Sequence, residues 1–398
     1  MRRVMVFTAS RAEYGHLKPI IRGIIASPRL ELCLVVGGAH FVSGQGRTGQ
    51  EIIGDGIPIA FSMKNARFSD EPNNIVKSVG QGVVEITALF STQPPDIIVV
   101  LGDRYELFIP LIGALIHRVP VAHLCGGETT EGALDDQVRH AVTKVAHLHF
   151  PSTFEYARRL RQMGEEAWRI HVVGAPGVEN ILQGDIMPPE ELKAVFDIDI
   201  AIPTMLVTYH PETLLREESG QEVEALIAAL KEFPDYQQVI TYPGIEVGCH
   251  GIINAWKTYA RENKNARLYK SLGSRGYLGV MKHAVAVVGN SSSGIIEAPS
   301  LKVPTVNVGD RQKGRVRAES VIDVPCCKED IVAGLRKALL DREFRSYLNH
   351  ISNPYDPYGD GNVSGRVVSV LESVPLDRRL LEKKLDFPTE EELCKWPC

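Results

Sequence analysis

At 398 residues the chain is too long for one ordinary core, so two domains are the default. Its 44% hydrophobic and 23% charged residues fit a globular protein in water, and a net charge of −5 argues against broad adhesion to nucleic acid or membrane. No run approaches the roughly 20 apolar residues of a membrane helix, and MRRVMVFTAS enters a strand directly instead of reading as a signal peptide.

Short β-branched runs predict strands at 3–8, 31–36, 96–101, 119–124, 147–151 and 169–173. Helical patterns lie between them, for example at 14–27 and 104–117. Apolar strands without alternation, spaced by helices, predict a parallel sheet covered on both faces. After a polar stretch near 183–193 the pattern restarts, with strands at 204–209, 237–241, 266–269, 285–288 and 305–308. The expected fold class is α/β, with two doubly wound domains facing each other and ligand in the cleft at their strand C-termini. The expected boundaries are 1–185, 186–364 and 365–398. In the last segment a helix at 365–372 packs back on the first domain, and the tail LEKKLDFPTEEELCKWPC is an appended or disordered extension. Seven scattered cysteines (Cys33, Cys125, Cys249, Cys326, Cys327, Cys394 and Cys398) contain no C-x-x-C pair. They support neither a disulfide framework nor a zinc site, and they fit a reducing cytoplasm.

Polar clusters fall where these strands end. Ser10-Arg11-Ala12-Glu13-Tyr14 follows the first strand, and an Arg opening a helix there can meet a phosphate; the alternative is an N-cap serine with a solvated arginine. His40 follows the second strand. Gly102-Asp103-Arg104 ends the apolar run DIIVVL, so Asp103 either caps the next helix, serves in a site, or does both. Gly126-Gly127 turns the chain before Glu128, which points into the cleft or to solvent. Asp135 and Asp136 lie about 100° apart on a helix, so one can face the cleft while the other caps the helix or pairs with Arg139. Paired acids suit general acid/base work; no nearby His or Cys has metal-ligand spacing. His210, fixed before Pro211 at a strand end, is a better site candidate than His147 or His171, which are expected to be structural.

The segment VAVVGNSSSGIIEAPSLKVPTVNVGDRQKGR at 285–315 carries the strongest signal. A strand runs into a hydroxyl-rich turn with Ser291, Ser292, Ser293 and Gly294. A helix with Glu297 in its first turn follows, and a second strand delivers Arg311. Backbone N–H groups and hydroxyls in such a turn bind phosphate. It is not a Walker A loop and lacks G-x-G-x-x-G spacing; the bland alternative is a polar loop capping a core helix. The loop 353–362 is rich in turn formers, and either folds over the cleft near the hinge or connects two helices.

Taken together, SRAEY, GDRYE, GGE followed by DDQVRHA, TYHPET, GNSSSGIIE and GDRQKGR resemble the hydrolysing UDP-N-acetylglucosamine 2-epimerases of sialic-acid biosynthesis, over roughly residues 3–372. The resemblance implies two Rossmann-like domains in the GT-B arrangement, and conversion of UDP-GlcNAc and water to ManNAc and UDP with no nicotinamide or metal cofactor. It implies catalytic acids Asp103, Glu128 and one of Asp135 and Asp136, with Asp135 the first choice. Arg104 and His210 then lie near the diphosphate, while Arg11, Ser291, Ser292, Glu297 and Arg311 match nucleotide contacts, Glu297 accepting from the ribose diol. A homodimer or homotetramer is the family's expected assembly. Two departures stand out. Gly244 and Glu246 replace an Asn and Asp expected at the nucleotide or sugar, and Cys125 stands where some relatives carry an acid. The readings kept beside this one are the equivalent hydrolysing enzyme of legionaminic-acid synthesis, acting on a UDP-linked diacetamido-trideoxy sugar or a GDP-linked sugar; the non-hydrolysing epimerase; a glycosyltransferase of shared fold; and a non-catalytic nucleotide-sugar sensor.

Overall fold

The computed structural model describes residues 1–41, 49–63, 71–182, 184, 186–212, 219–244 and 248–396. Their contacts divide into two compact units. The first is built from Met1–Glu128, Asp135–Glu179 and the chain from Tyr355 onward; the second from Thr129–Leu134 and Asn180–Pro354.

The first unit holds six parallel strands: β1 (Arg2–Thr8), β2 (Leu30–Val36), β3 (Phe61–Ser62), β4 (Ile97–Leu101), β5 (Val121–Leu124) and β6 (Leu148–Phe150). They are ordered β3-β2-β1-β4-β5-β6. Strand β1 shows why the sheet is covered twice. Val4 and Val6 pack with Leu17, Ile20 and Ile24 of the helix Arg11–Ala26 and with Val367 and Leu371 of the helix Val363–Ser373. Met5 and Phe7, on the opposite face, pack with Ile86, Phe90 and Ile109. Period-two alternation therefore sends apolar side chains to both faces, and the strand reads as an unbroken hydrophobic run.

The second unit repeats the plan. Its strands are β7 (Thr204–Thr208), β8 (Gln237–Thr241), β9 (Ala266–Tyr269), β10 (Ala286–Gly289), β11 (Thr305–Val308) and β12 (Val321–Val324), all parallel, ordered β12-β11-β10-β7-β8-β9. Met205 and Val207 face Leu226, Trp256 and Leu335, while Leu206 faces Leu192, Val280 and Met281. In each unit the strand order is third-second-first-fourth-fifth-sixth, the Rossmann order, with a topological switch between the first strand and the fourth. No helix among the described residues is long and apolar enough to cross a membrane.

Two expectations are corrected, and two strands are added. Residues 169–173 form no strand, only a bridge between His149 and Ile170 after the 3-10 turn Ala167–Arg169. The buried Arg169 guanidinium there donates to the carbonyls of His147, Arg379, Leu380 and Glu382, so the segment is spent on tying down the C-terminal chain. Edge strands β3 and β12 went unpredicted: β3 pairs at only two positions, and β12 carries the exposed Asp323. The described part of the tail packs on the first unit, with helices Arg378–Leu381 and Glu390–Lys395. Lys383 pairs with buried Glu165 at 2.7 Å, Arg161 with Asp386 at 2.7 Å, and the Phe387 ring lies against Gly164, where a Cβ would come within 2.9 Å of it. His147 is structural, its Nδ1 accepting the Val121 N–H at 3.2 Å, and burial lowers its pKa to about 4. The His171 ring stands 6.0 Å from that of Phe150.

Candidate active site

In the first unit the segments leaving β1 and β4 flank the switch point, where open α/β sheets place ligands. Ser10 caps the helix Arg11–Ala26: its Oγ accepts the Glu13 N–H, and Glu13 Oε2 accepts the N–H groups of Ala9 at 2.7 Å and Ser10 at 3.1 Å. Arg11 is the first helical residue; burial lowers its pKa and Glu51 opposes that shift. His40 Nε2 lies 3.1 Å from Thr8 Oγ1, and burial lowers its pKa to about 4, so it is neutral at physiological pH. Arg104 donates to Glu106 from Nε at 3.2 Å and from Nη2 at 2.9 Å. Burial opposes the Arg104 charge, but Glu106 and Glu13 outweigh it and hold the guanidinium ionised. Burial and Glu106 raise the Glu13 carboxyl to about 7. Sequence reasoning assigned no role to Glu13 or Glu106. The S-x-x-E spacing at 10–13 was a readable capping-box signal for the first.

Arg139 organises the acids. It stands on the helix Asp135–Val145 and is fully buried. Its Nη2 pairs with Asp103 Oδ2; its Nη1 donates to Asp136 Oδ1 at 3.2 Å and to the Glu128 carbonyl at 3.0 Å. One guanidinium thus ties together the turn after β4, the turn after β5 and the start of a helix. Asp136 also reaches His140 Nε2 at 3.4 Å. The Glu128 side chain is 2% exposed and accepts the Ser152 hydroxyl at 2.7 Å. Asp135 opens the same helix, partly exposed, one residue around from Asp136. Two acids in that first turn also suit the helix dipole. Cys125 takes a left-handed φ of 62° in the turn leading to Gly126 and Gly127. Pairing of one of the two acids with Arg139 was one of the sequence readings, and Asp136 makes that pair; the links of Arg139 to Asp103 and to the Glu128 carbonyl were not anticipated.

The second unit has its own switch point between β7 and β10. Asn290, fully buried after β10, clamps the backbone of His210 after β7: it accepts the His210 N–H at 2.7 Å and donates to the His210 carbonyl at 2.9 Å. The Asn290 carbonyl accepts Gln312 Nε2 at 2.9 Å and Arg311 Nη1 at 3.4 Å. Glu212 accepts the N–H groups of Asp310 at 3.0 Å and Arg311 at 3.1 Å, which fixes the loop after β11. The Gly244 N–H reaches His210 Nδ1 at 3.4 Å; Glu246 lies outside the described residues. Ser291 Oγ stands 2.9 Å from Ser293 Oγ, which bonds Tyr277 OH at 2.7 Å. Ser292 precedes the helix and is partly exposed. The predicted helix is corrected here: it has only four residues, Ser293–Ile296, and passes into the 3-10 turn Ala298–Leu301 at Pro299. Glu297 therefore lies beyond its first turn, 3% exposed. Thr129–Leu134 also belongs to this unit, with Thr129 Oγ1 donating to the Gly314 carbonyl at 2.5 Å.

These geometries bring the carboxylates of Asp103 and Asp136 and the backbone carbonyl of Glu128 onto one buried arginine in one unit, and His210, Asn290, the serine turn and Arg311 together in the other. Among the described residues no cluster of three His, Cys, Asp or Glu could hold a metal ion. Comparison with known proteins places the chain in a family. The chain is 35% identical to the Escherichia coli "Polysialic acid biosynthesis protein P7", over 89% of this chain and 90% of that one. It is 34% identical to the Campylobacter jejuni "GDP/UDP-N,N'-diacetylbacillosamine 2-epimerase (hydrolyzing)", over 81% and 84%. The fold matches the "S. aureus MnaA-UDP co-structure" with a TM-score of 0.79 at 17% identity, covering 98% of this chain and 100% of that one. The family model described as UDP-N-acetylglucosamine 2-epimerase matches residues 22–372, so the chain belongs to the UDP-N-acetylglucosamine 2-epimerase family.

Proposed function

We propose that this chain is a hydrolysing nucleotide-sugar 2-epimerase that converts UDP-GlcNAc and water to ManNAc and UDP. The observation that carries the reading is the Arg139-centred set of acids. The reaction breaks the C1–O bond to UDP while a carboxylate removes the C2 proton, which leaves a 2-acetamidoglucal. Water then adds its hydroxyl at C1 as an acid delivers a proton to C2 on the opposite face. Inversion at one carbon needs a proton acceptor on one face and a donor on the other, a task for separate carboxyl groups. Asp103, Glu128 and one acid of the Asp135–Asp136 pair are the groups we assign to it; Asp135 is the first choice from the sequence, and Asp136 is the one that Arg139 holds. In the second unit His210, Arg311 and the hydroxyls of Ser291–Ser293 are assigned to the diphosphate, and Glu297 to the ribose diol. Arg11, His40 and Arg104 are assigned to the substrate from the first unit, and Gly244, Gly294 and Glu246 from the second.

The test is turnover in D₂O. ManNAc carrying deuterium at C2, released with free UDP, is the expected product. Unlabelled product excludes proton exchange at C2, and product still joined to UDP excludes the hydrolysing reaction. A second reading is favoured by the Campylobacter jejuni relative, a "GDP/UDP-N,N'-diacetylbacillosamine 2-epimerase (hydrolyzing)", and by Gly244 and Glu246 standing where an Asn and Asp were expected. On that reading the sugar is a UDP- or GDP-linked diacetamido-trideoxy sugar. Offering each nucleotide sugar to the protein and following nucleotide release decides between them. The reading includes a homodimer or homotetramer, which light scattering measures. It includes a reducing, cytoplasmic setting, which suits the free thiols of Cys33, Cys125, Cys249, Cys326 and Cys327.

A further inference from the structure

His123, the third residue of β5, sits in the middle of the acid-bearing segments without touching a reacting group. It is fully buried. Its Nε2 lies 2.7 Å from the Gly102 carbonyl, and its Nδ1 lies 3.4 Å from Thr143 Oγ1. A carbonyl can only accept, so Nε2 carries the hydrogen and Nδ1 offers a lone pair to the Thr143 hydroxyl. Burial holds the ring neutral, with a pKa lowered to about 3. Each of its contacts leads to an acid. Gly102, with φ of 82°, makes the turn that presents Asp103. Thr143 stands on the helix Asp135–Val145 that carries Asp136 and Arg139. Gly126 lies against the ring so closely that a Cβ there would come within 2.9 Å of Nδ1, and two residues later the chain reaches Glu128. A leucine would fill such a strand position without a desolvated polar group; the imidazole is tolerated because both nitrogens are partnered.

We propose that His123 is a positioning residue that braces the turn bearing Asp103 against the helix bearing Asp136 and Arg139, and so sets the spacing of the acids assigned above. The proposal rests on the epimerase reading for what those acids do. A displacement of order 1 Å at a reacting group costs roughly 10²-fold in rate, so small slack in this brace is enough to matter.

The experiment compares wild type with His123→Leu, His123→Gln and Thr143→Val in kcat, in UDP affinity by calorimetry and in thermal unfolding. Wild-type turnover comes first, because its absence overturns the epimerase reading and not the brace. With turnover established, His123→Leu is expected to lower kcat about 10–100-fold while UDP affinity stays within about twofold. His123→Gln, whose amide restores a donor toward the Gly102 carbonyl, is expected to recover part of the loss. Thr143→Val removes the second contact at nearly constant volume and is expected to lower kcat by a smaller factor. Retained kcat in His123→Leu overturns the proposal, as does an equal fall in UDP affinity, or a Gln variant no better than Leu. If His123→Leu fails to fold, wild-type kcat in Thr143→Val overturns it, and a selective loss of kcat there supports it.

Discussion

Arg139→Met tests the centre of the site directly. The substitution keeps most of the buried aliphatic stem and removes three contacts: the pair with Asp103, the 3.2 Å bond to Asp136 and the 3.0 Å bond to the Glu128 carbonyl. A hydrogen bond to a charged group contributes about 1.5–3 kcal/mol and a neutral one about 1 kcal/mol. All three bonds have a charged donor; the Asp103 and Asp136 side chains are 22% and 23% exposed, so water recovers part of those two terms. The net loss of stability is then about 3 kcal/mol, at the low end of what breaking a buried ion pair costs. Denaturant unfolding measures it, and nucleotide release from a saturating UDP-sugar measures kcat, which is expected to fall about 10²-fold as the acids lose their common anchor. Arg139→Lys is expected to restore little of the rate, because one ammonium cannot reproduce the guanidinium fork. A stability loss under about 1 kcal/mol, together with kcat within about threefold of wild type, would refute the view that this arginine organises the site.

Asp103→Asn and Glu128→Gln are each expected to lower kcat by roughly 10²–10⁴ with little change in KM, and an unchanged kcat clears that residue of the proton-transfer role. Glu165 predicts the acid limb of stability. Burial alone raises its pKa, but hydrogen bonds from His149, Lys144 and Lys383 overcome that and hold it at about 2, below the ordinary 4.5. Its contribution is therefore complete above pH 4.5 and is lost as pH falls from there towards 2. Urea midpoints across that range are expected to fall for wild type, and Lys383→Met is expected to shift the fall to higher pH; superimposable curves would contradict it. At Gly294 a Cβ would lie 2.6 Å from Thr305 Cγ2, so Gly294→Ala is expected to distort the serine turn and weaken UDP binding about tenfold by calorimetry, at a stability cost of about 1–3 kcal/mol. Wild-type affinity would remove that turn from the nucleotide site.

Local chemistry in the chain already determined much of this protein. Short apolar runs such as Ile97–Leu101 and residues 205–207 read as strands buried on both faces, and their spacing by helices predicts two parallel sheets. Short polar motifs at their ends marked Asp103, Glu128, His210 and Ser291, because glycines and caps make turns that local sequence encodes. What lay beyond it depended on partners far away along the chain. Edge strands β3 and β12 exist only because β2 and β11 offer them a ladder. Residues 169–173 follow the side chain of Arg169 and its carbonyl partners some 210 residues on, not their own strand propensity. The i+3 pair of Asp136 with Arg139 was open to a local reading, but whether that same guanidinium also held Asp103 from 36 residues away was decided when β4, β5 and the helix Asp135–Val145 packed together. A buried charge needs a partner wherever the fold can supply one, and which partner that is depends on tertiary geometry instead of spacing.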